Sequence, residues 1–312
     1  MDRSQLLAFG LRAVPQVGAV LSRPAPGARS RQAAAAPAVA AAPSAGSAPP
    51  ARSSVGAAPA KRTEPVFLSD TFLLELADCE LVEALLAQEP PQGAPAGHVK
   101  LSTVLSRTLF HPQGGGQQAD TGFLLSEGLP DLPVSFASLR KDDAAILHDS
   151  VVEQQVADKW AAAAGKVRVT CRVDEPRRLL AARIHSAGHL LDAAVTAVGL
   201  KWVPGKGYHF PDGPYVEYIL NEASRKIDPK KAGDREGVVR AIQENLDRLV
   251  ASGGQVTTRL VDGVRHVAMA GEECPCGGTH VGDIAQIGHI EVKKLQNKQG
   301  NVRISYTVAA AA

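Results

Sequence analysis

Aromatic residues are scarce: seven Phe, four Tyr and two Trp in 312 residues. A protein organised around stacked bases needs several exposed rings. The count therefore argues against a single-stranded nucleic-acid binder of that kind, and fits an Ala-rich, GC-rich coding background. The four cysteines, Cys79, Cys171, Cys274 and Cys276, do not have the spacing of a disulfide framework. They read as reduced thiols, one of them a candidate metal ligand. No apolar run reaches the roughly 18 residues of a membrane helix, and no membrane association is expected. What the chain does have is length for roughly two domains and 45% apolar residues, enough for an ordinary core.

A net charge of +2 conceals an asymmetry. Residues 1–62 carry eight basic residues against Asp2 alone, leaving 26 basic against 31 acidic residues in the remainder. This first segment is rich in Ala, Pro, Ser and Arg and too poor in bulky apolar residues to fold by itself. Its Arg-rich, acid-poor composition matches an organelle transit peptide, mitochondrial or plastid. An unstructured tail on a cytoplasmic protein has the same composition. Arg12 interrupts the apolar stretch that a secretory signal needs. Because the rest of the chain is mildly acidic, any RNA contact must use a local basic patch.

Residues 63–173 read as a β-barrel-like domain. Val66–Leu68, Val104–Leu109, Gly122–Leu125 and Val167–Cys171 are short apolar or β-branched segments, separated by Gly114-Gly115-Gly116 and a Pro-rich loop at Pro90–Pro95. Residues 174–312 read as an α+β domain with helices on one side of an antiparallel sheet. Asp174-Glu175-Pro176 is a helix start, and Gly199 is a stop after Val198. Apolar positions Leu180, Ile184, Leu191, Val195 and Val198 recur at helical spacing. A strand is expected at Tyr215–Leu220, a helix at Asp234–Ala251, and strands at Gln255–Val261 and Val264–Ala270. A hairpin, Ile290–Leu295 with Val302–Val308, closes the chain around Gln299-Gly300-Asn301.

The chemistry concentrates in two short motifs. His185 and His189 lie four apart on the first helix of the second domain, so both imidazoles share a face. Ser186 and Gly188 between them are small and leave room for a substrate. Some ninety residues later comes Cys274-Pro275-Cys276-Gly277-Gly278-Thr279-His280, in which Cys276 and His280 are again four apart, here in a Gly-rich loop. Three imidazoles and a thiolate form a set suited to zinc. The Glu that follows the first His in zinc proteases is replaced by Ser186. No side-chain base is assigned, and attack falls to a group from elsewhere in the chain or to a zinc-bound water, whose pKa zinc lowers to about 7. That is adequate for an activated ester.

These residues resemble the alanyl-tRNA editing domain in its free-standing AlaX form, of medium size with an N-terminal β-domain. The related threonyl-tRNA synthetase editing domains share the motif pair. The matching segments are Arg183–Leu191, Cys276–Val281 with Ile287-Gly288, and a glycine-rich motif, His111–Gln117 with Asp120 and Gly122. Within that motif the characteristic residues are Gly114, Gly115, Gly116 and Gln117. The resemblance implies zinc held by His185, His189, Cys276 and His280. It also implies hydrolysis of mischarged Ser-tRNA(Ala), and of Gly-tRNA(Ala), in trans. Short members read the serine hydroxyl with a threonine on the strand after the metal helix. Here Lys201-Trp202-Val203 stands in that region, which leaves Tyr208, His209 and Tyr215 as pocket candidates beside Ser186, Gly188, Gly277 and Thr279.

Other readings compete. A binding module with a structural zinc would carry the same ligands, and a related deacylase would act on Ser-tRNA(Thr). Gly115-Gly116-Gln117 repeats the triplet peptide release factors use, but a glycine turn beside the site accounts for it. Cys274 reads as a thiol outside the ligand set. Lys201, Lys206, Lys293 and Lys294 are candidate tRNA contacts. His111, His148, His266 and His289 read as core or surface residues.

Overall fold

The computed structural model describes residues 63–228 and 231–309. The segment 1–62, with the transit-peptide expectation attached to it, lies outside the described residues. The first half is built from β1 (Glu64–Pro65), β2 (Glu75–Leu86), β3 (His98–Leu105), β4 (Arg107–Thr108), β5 (Gly122–Leu125), β6 (Leu132–Val134), β7 (Phe136–Leu139), β8 (Ile146–Glu153), α1 (Gln154–Ala163) and β9 (Arg168–Val173). Seven strands form one sheet in the order β6-β5-β9-β2-β3-β8-β7, with every pairing antiparallel. Its two edges, β6 and β7, are consecutive in the chain and joined by Ser135 alone. The Ser135 N–H and hydroxyl both donate to the Asp149 carbonyl of β8, at 2.9 and 3.1 Å. The sheet thus curls until its edges nearly meet, which removes most of the exposed edge. Leu81, Leu101, Leu105, Leu124 and Leu132 fill the interior.

Three elements here depart from the sequence pattern. Val66–Leu68 is a 3-10 turn and not a strand. Val66 and Phe67 are both buried although adjacent, which the alternation of a half-buried strand does not allow. The long strand β2 has no clean alternation because Asp78 adopts a φ of 58° and the register against β9 slips between Leu76 and Cys79. A bulge of this kind inverts the phase of the pattern partway along the strand. The helix α1 was also unannounced. It covers the barrel through Ala157, Trp160 and Ala163, at threefold spacing.

His148 on β8 is fully buried in this barrel. Its Nδ1 donates to the Thr103 carbonyl at 3.0 Å, and its Nε2, 2.7 Å away, accepts from the Thr108 hydroxyl. Burial pushes its pKa down to about 4. The unfolded chain takes up this proton below about 6.5 while the folded chain does not. The ring therefore withdraws stability as pH falls from about 6.5 to about 4, by about 3 kcal/mol in total. Urea melts between pH 7 and pH 4 are expected to show this slope, and His148→Gln to flatten it. His111, also buried and pushed down to about 4, keeps part of the slope in the variant.

The second half comprises α2 (Glu175–Ala197), β10 (Val203–Tyr208), β11 (Tyr215–Ile219), α3 (Asp234–Ser252), β12 (Thr257–Val261), β13 (Val264–Met269), β14 (Glu272–Pro275), β15 (Ile290–Lys298) and β16 (Asn301–Val308). This is the expected α+β arrangement, with α2 and α3 on one face of the β10-β11-β16-β15 sheet and β12-β13-β14 as a smaller sheet. Asp174 caps α2 by accepting the Arg177 N–H at 3.1 Å, and Pro176 stands in the first turn. Gln299 and Gly300, with φ of 50° and 85°, make the two-residue hairpin between β15 and β16. Strand β14 has no counterpart among the expected elements, and β10 begins at Val203, at the end of the Lys201-Trp202-Val203 region where the resemblance implies a strand.

One buried ion pair ties α2 to the barrel. Arg178, in the first turn of α2, is 0% exposed. Its Nε donates to Asp120 at 3.1 Å and its Nη1 to the Thr71 carbonyl at 2.9 Å, while Nη2 reaches both Asp120 and the Leu109 carbonyl. Asp120 also accepts the His111 N–H at 2.7 Å. Every nitrogen of the guanidinium thus has a hydrogen-bond partner, as a buried charge requires.

Candidate metal centre

The regular helix α2 sets His185 and His189 one turn apart on the same buried face, with ring centroids 5.2 Å apart. The Gly-rich segment after β14 is shaped by Arg265, a buried residue of β13. Arg265 Nη1 donates to the carbonyls of Cys276 at 2.7 Å and Gly278 at 3.0 Å, and the Cys276 N–H donates back to the Arg265 carbonyl at 3.0 Å. The loop therefore wraps a guanidinium and turns Cys276 and His280 toward α2. A Cβ at Gly278 would overlap the His185 ring, so only glycine lets the loop approach this closely. One ligand atom from each of His185, His189, Cys276 and His280 lies within 4.8 Å of the others, and all four residues are buried.

The spacing fits a tetrahedral ion. Cys276 Sγ lies 3.5 Å from His185 Nε2 and 3.2 Å from His280 Nε2. Zinc bonds of about 2.3 Å to sulfur and about 2.0–2.1 Å to nitrogen, at tetrahedral angles, place such atoms about 3.5 Å apart. Burial, then the neighbouring His209, His280 and His189, push His185 well below the usual histidine pKa. The neutral imidazole that a metal requires is therefore the resting form.

Each histidine is held from its other nitrogen. His185 Nδ1 donates to Gln117 Oε1 at 2.8 Å, His280 Nδ1 lies 3.1 Å from Ser186 Oγ, and His189 Nδ1 lies 3.2 Å from Cys274 Sγ. Such outer partners fix ring orientation and tautomer, leaving Nε2 for the ion. Gln117 does more. Its Oε1 also accepts the Thr279 N–H at 3.0 Å, and its Nε2 donates to Thr279 Oγ1 at 2.9 Å. One amide from the glycine-rich motif thus clamps both ligand-bearing segments together. The sequence marked Gln117 as part of a glycine turn and gave no signal of these contacts. Arg265 carries no local sequence signal of its role in the ligand loop. Gln117→Ala is expected to weaken metal affinity by about ten- to a hundredfold, the usual scale for such partners, as read by chelator competition.

Other candidate residues are distributed as follows. Ser186 is buried and accepts the Val281 N–H at 3.2 Å. The room at Gly188 is taken by His209, which stacks on His185 with centroids 4.5 Å apart and holds Tyr306 Oη through Nδ1 at 2.8 Å. Gly277 and Thr279 are buried within the ligand loop. Gly116, at φ 79°, lets the His209 N–H donate to its carbonyl at 2.8 Å. Tyr208 and Tyr215 lie together on the other side of β10 and β11 from His209. A cavity of about 250 Å³ opens beside the cluster, bounded by His189, Cys274, Asp192, Met269, Glu272 and Glu273 among others. Lys201, Lys206, Lys293 and Lys294 are exposed, and Lys293 pairs with Glu291 at 2.6 Å. His266 pairs with Glu273 at 3.0 Å, and His289 is exposed.

Residues 264–305 match the family model described as the threonyl and alanyl tRNA synthetase second additional domain. The chain is similar to the alanine–tRNA ligase of Chlorobaculum tepidum, with 30% identity over 236 residues, covering 68% of this chain and 26% of that protein. It is similar also to the alanine–tRNA ligase of Methanothrix thermoacetophila, at 30% over 227 residues, 68% of this chain and 23% of that one. A third relative, the alanine–tRNA ligase of a Synechococcus strain, is 28% identical over 253 residues, 77% of this chain and 27% of its own. The chain thus spans about a quarter of the length of these curated relatives.

Proposed function

This chain belongs with the threonyl and alanyl tRNA synthetase second additional domains, and from that premise we propose that it is a zinc-dependent deacylase that removes serine, and glycine, from mischarged tRNA(Ala). The observation that carries this reading is the buried His185-His189-Cys276-His280 cluster with a cavity against one of its members, His189. A zinc ion bound there supplies a Lewis acid and an acidified water.

The chain's own residues supply positioning and selectivity. Asp192 Oδ1 accepts the Tyr218 hydroxyl at 2.9 Å and lies one turn beyond His189, on the cavity wall. Glu272 adds negative charge to the same wall, while the charge of Glu273 is offset by a bidentate pair with Arg259 at 2.8 and 2.9 Å. That field favours the α-ammonium of an aminoacyl ester and disfavours free carboxylates. A site that hydrogen-bonds the serine hydroxyl spares alanine, which would leave its polar groups unpaired. A second site that destroys errors is needed because a synthetic pocket rejects such near-isosteres weakly.

One observation favours a second reading. Four side-chain donors make a closed set, the pattern of structural zinc, so a tRNA-binding module without hydrolysis is the competing case. Incubation with Ser-, Gly- and Ala-tRNA(Ala), and with Ser-tRNA(Thr), separates them. Release of serine from tRNA(Ala), with Ala-tRNA(Ala) spared, is the expected result. Binding without release would favour the module, faster release from Ser-tRNA(Thr) would change the substrate, and well under one zinc per chain would remove both zinc readings.

A further inference from the structure

The outer face of the β10-β11-β16-β15 sheet carries an array that the metal centre does not use. Phe210, Tyr208 and Tyr215 stack in file, with centroids 4.6 Å apart for the first pair and 5.3 Å for the second, and planes within 16° in each. Arg303 lays its guanidinium over the Tyr215 ring, with Cζ 3.9 Å from the centroid. Glu217 holds Arg303 there by accepting from Nε at 3.0 Å, and Asp212 holds Tyr208 by accepting its hydroxyl at 3.0 Å. All four planar groups are partly exposed. Three of the thirteen aromatic rings of a ring-poor chain are gathered here, at a surface and not in a core.

Two lysines border the array, beside the carboxylates of Asp212 and Glu217. Cross-strand pairing sets Tyr208, Tyr215, Ser305 and Lys294 in one row across the four strands, and Lys206 stands exposed in the bulge of β10. The two carboxylates nearest the rings are the ones engaged in fixing Arg303 and Tyr208. A pre-ordered stack of flat groups edged by cations matches one ligand chemistry, unpaired bases on a phosphate backbone. The location also suits it. His209, between Tyr208 and Phe210, turns the other way and stacks on His185. The array and the candidate metal centre therefore lie on opposite sides of the Tyr208–Phe210 segment, beside the edge strand β10, round which an RNA end stacked on the rings would reach the cavity.

We propose that the Phe210–Tyr208–Tyr215–Arg303 array is a platform on which the unpaired 3′ end of the acylated RNA stacks, placing its ester near the metal centre. This rests on the deacylase reading above. The ring count of the whole chain argued against stacked bases. The local arrangement supplies what the total lacks.

The test is binding of the full chain, loaded with zinc, to a fluorescent single-stranded oligoribonucleotide and to tRNA(Ala) with and without its unpaired 3′ end. Phe210→Leu keeps apolar volume but loses the plane and is expected to weaken binding by about tenfold, the scale of one base–aromatic stack. Phe210→Trp keeps the plane and is expected to retain binding. Trimming the 3′ end of the tRNA is expected to erase the difference between the variants. Wild-type affinity in a folded Phe210→Leu protein would overturn the proposal. Should that variant unfold, photocrosslinking of the wild-type chain to an iodouridine-substituted oligonucleotide decides. Adducts on Phe210 or Tyr208 support the platform, and adducts only elsewhere overturn it. Ring-dependent binding without hydrolysis would remove the deacylase and leave the platform, while hydrolysis with ring-independent binding would do the reverse.

Discussion

Cys276→Ala is expected to leave the protein folded but unable to keep a stoichiometric metal, and to lower deacylation by at least about a hundredfold, beyond the loss typical of an outer partner. Cys276 is the one sulfur within reach of both His185 Nε2 and His280 Nε2 among the described residues. Without it three neutral imidazoles remain, and no ligand charge offsets a divalent ion in a buried site. Cys276→Ser separates charge from geometry, since a hydroxyl has the position but not the thiolate. Metal analysis after dialysis and initial rates on Ser-tRNA(Ala) measure both effects. Cys274→Ala is the informative comparison. Cys274 touches His189 from its far nitrogen, so about a ten- to hundredfold loss of affinity at unchanged stoichiometry is expected. Full metal content and wild-type rate in Cys276→Ala would sink the assignment of the centre.

Asp120→Ala is expected to be the most destabilising single change, by about 3–5 kcal/mol, because it strands the Arg178 guanidinium in the interior. For a folded region of this size that corresponds to a fall in Tm of roughly 6–20 °C. The hydrogen bonds from Arg178 to the carbonyls of Thr71 and Leu109 survive the change but cannot neutralise the charge. Asp120→Leu combined with Arg178→Met removes both charges and is expected to cost much less, since a buried pair replaced by apolar groups is often near neutral. Calorimetric melts of the two proteins decide the point. If single and double variants melt together, the ion pair is not what holds the first turn of α2 against the barrel. Metal content should fall with the single variant as well, because α2 carries His185 and His189.

The parts of this protein that were legible in its sequence obey local rules. Asp174 and Pro176 announce the start of α2 because cap and first-turn geometry need only neighbouring residues. The i and i+4 histidines share a face for the same reason, and Gly300 announces a tight hairpin because its φ of 85° is one that glycine adopts freely. The barrel was legible as a class but not in detail. The bulge at Asp78 scrambles the alternation of β2, and only pairing with β3 and β9 makes that strand a strand. The tertiary structure alone decided how the centre is held. Gln117 meets His185 across 68 positions and Thr279 across 162, Arg265 shapes the ligand loop from a different strand, and Asp120 finds Arg178. It also decided that Gly188 makes way for His209 and that Tyr208, Phe210 and Tyr215 face outward as one stack. Spacing along a chain encodes which side chains share a face of one element. Which faces meet depends on how separate elements pack, and that information is distributed over the whole core and not written beside any one residue.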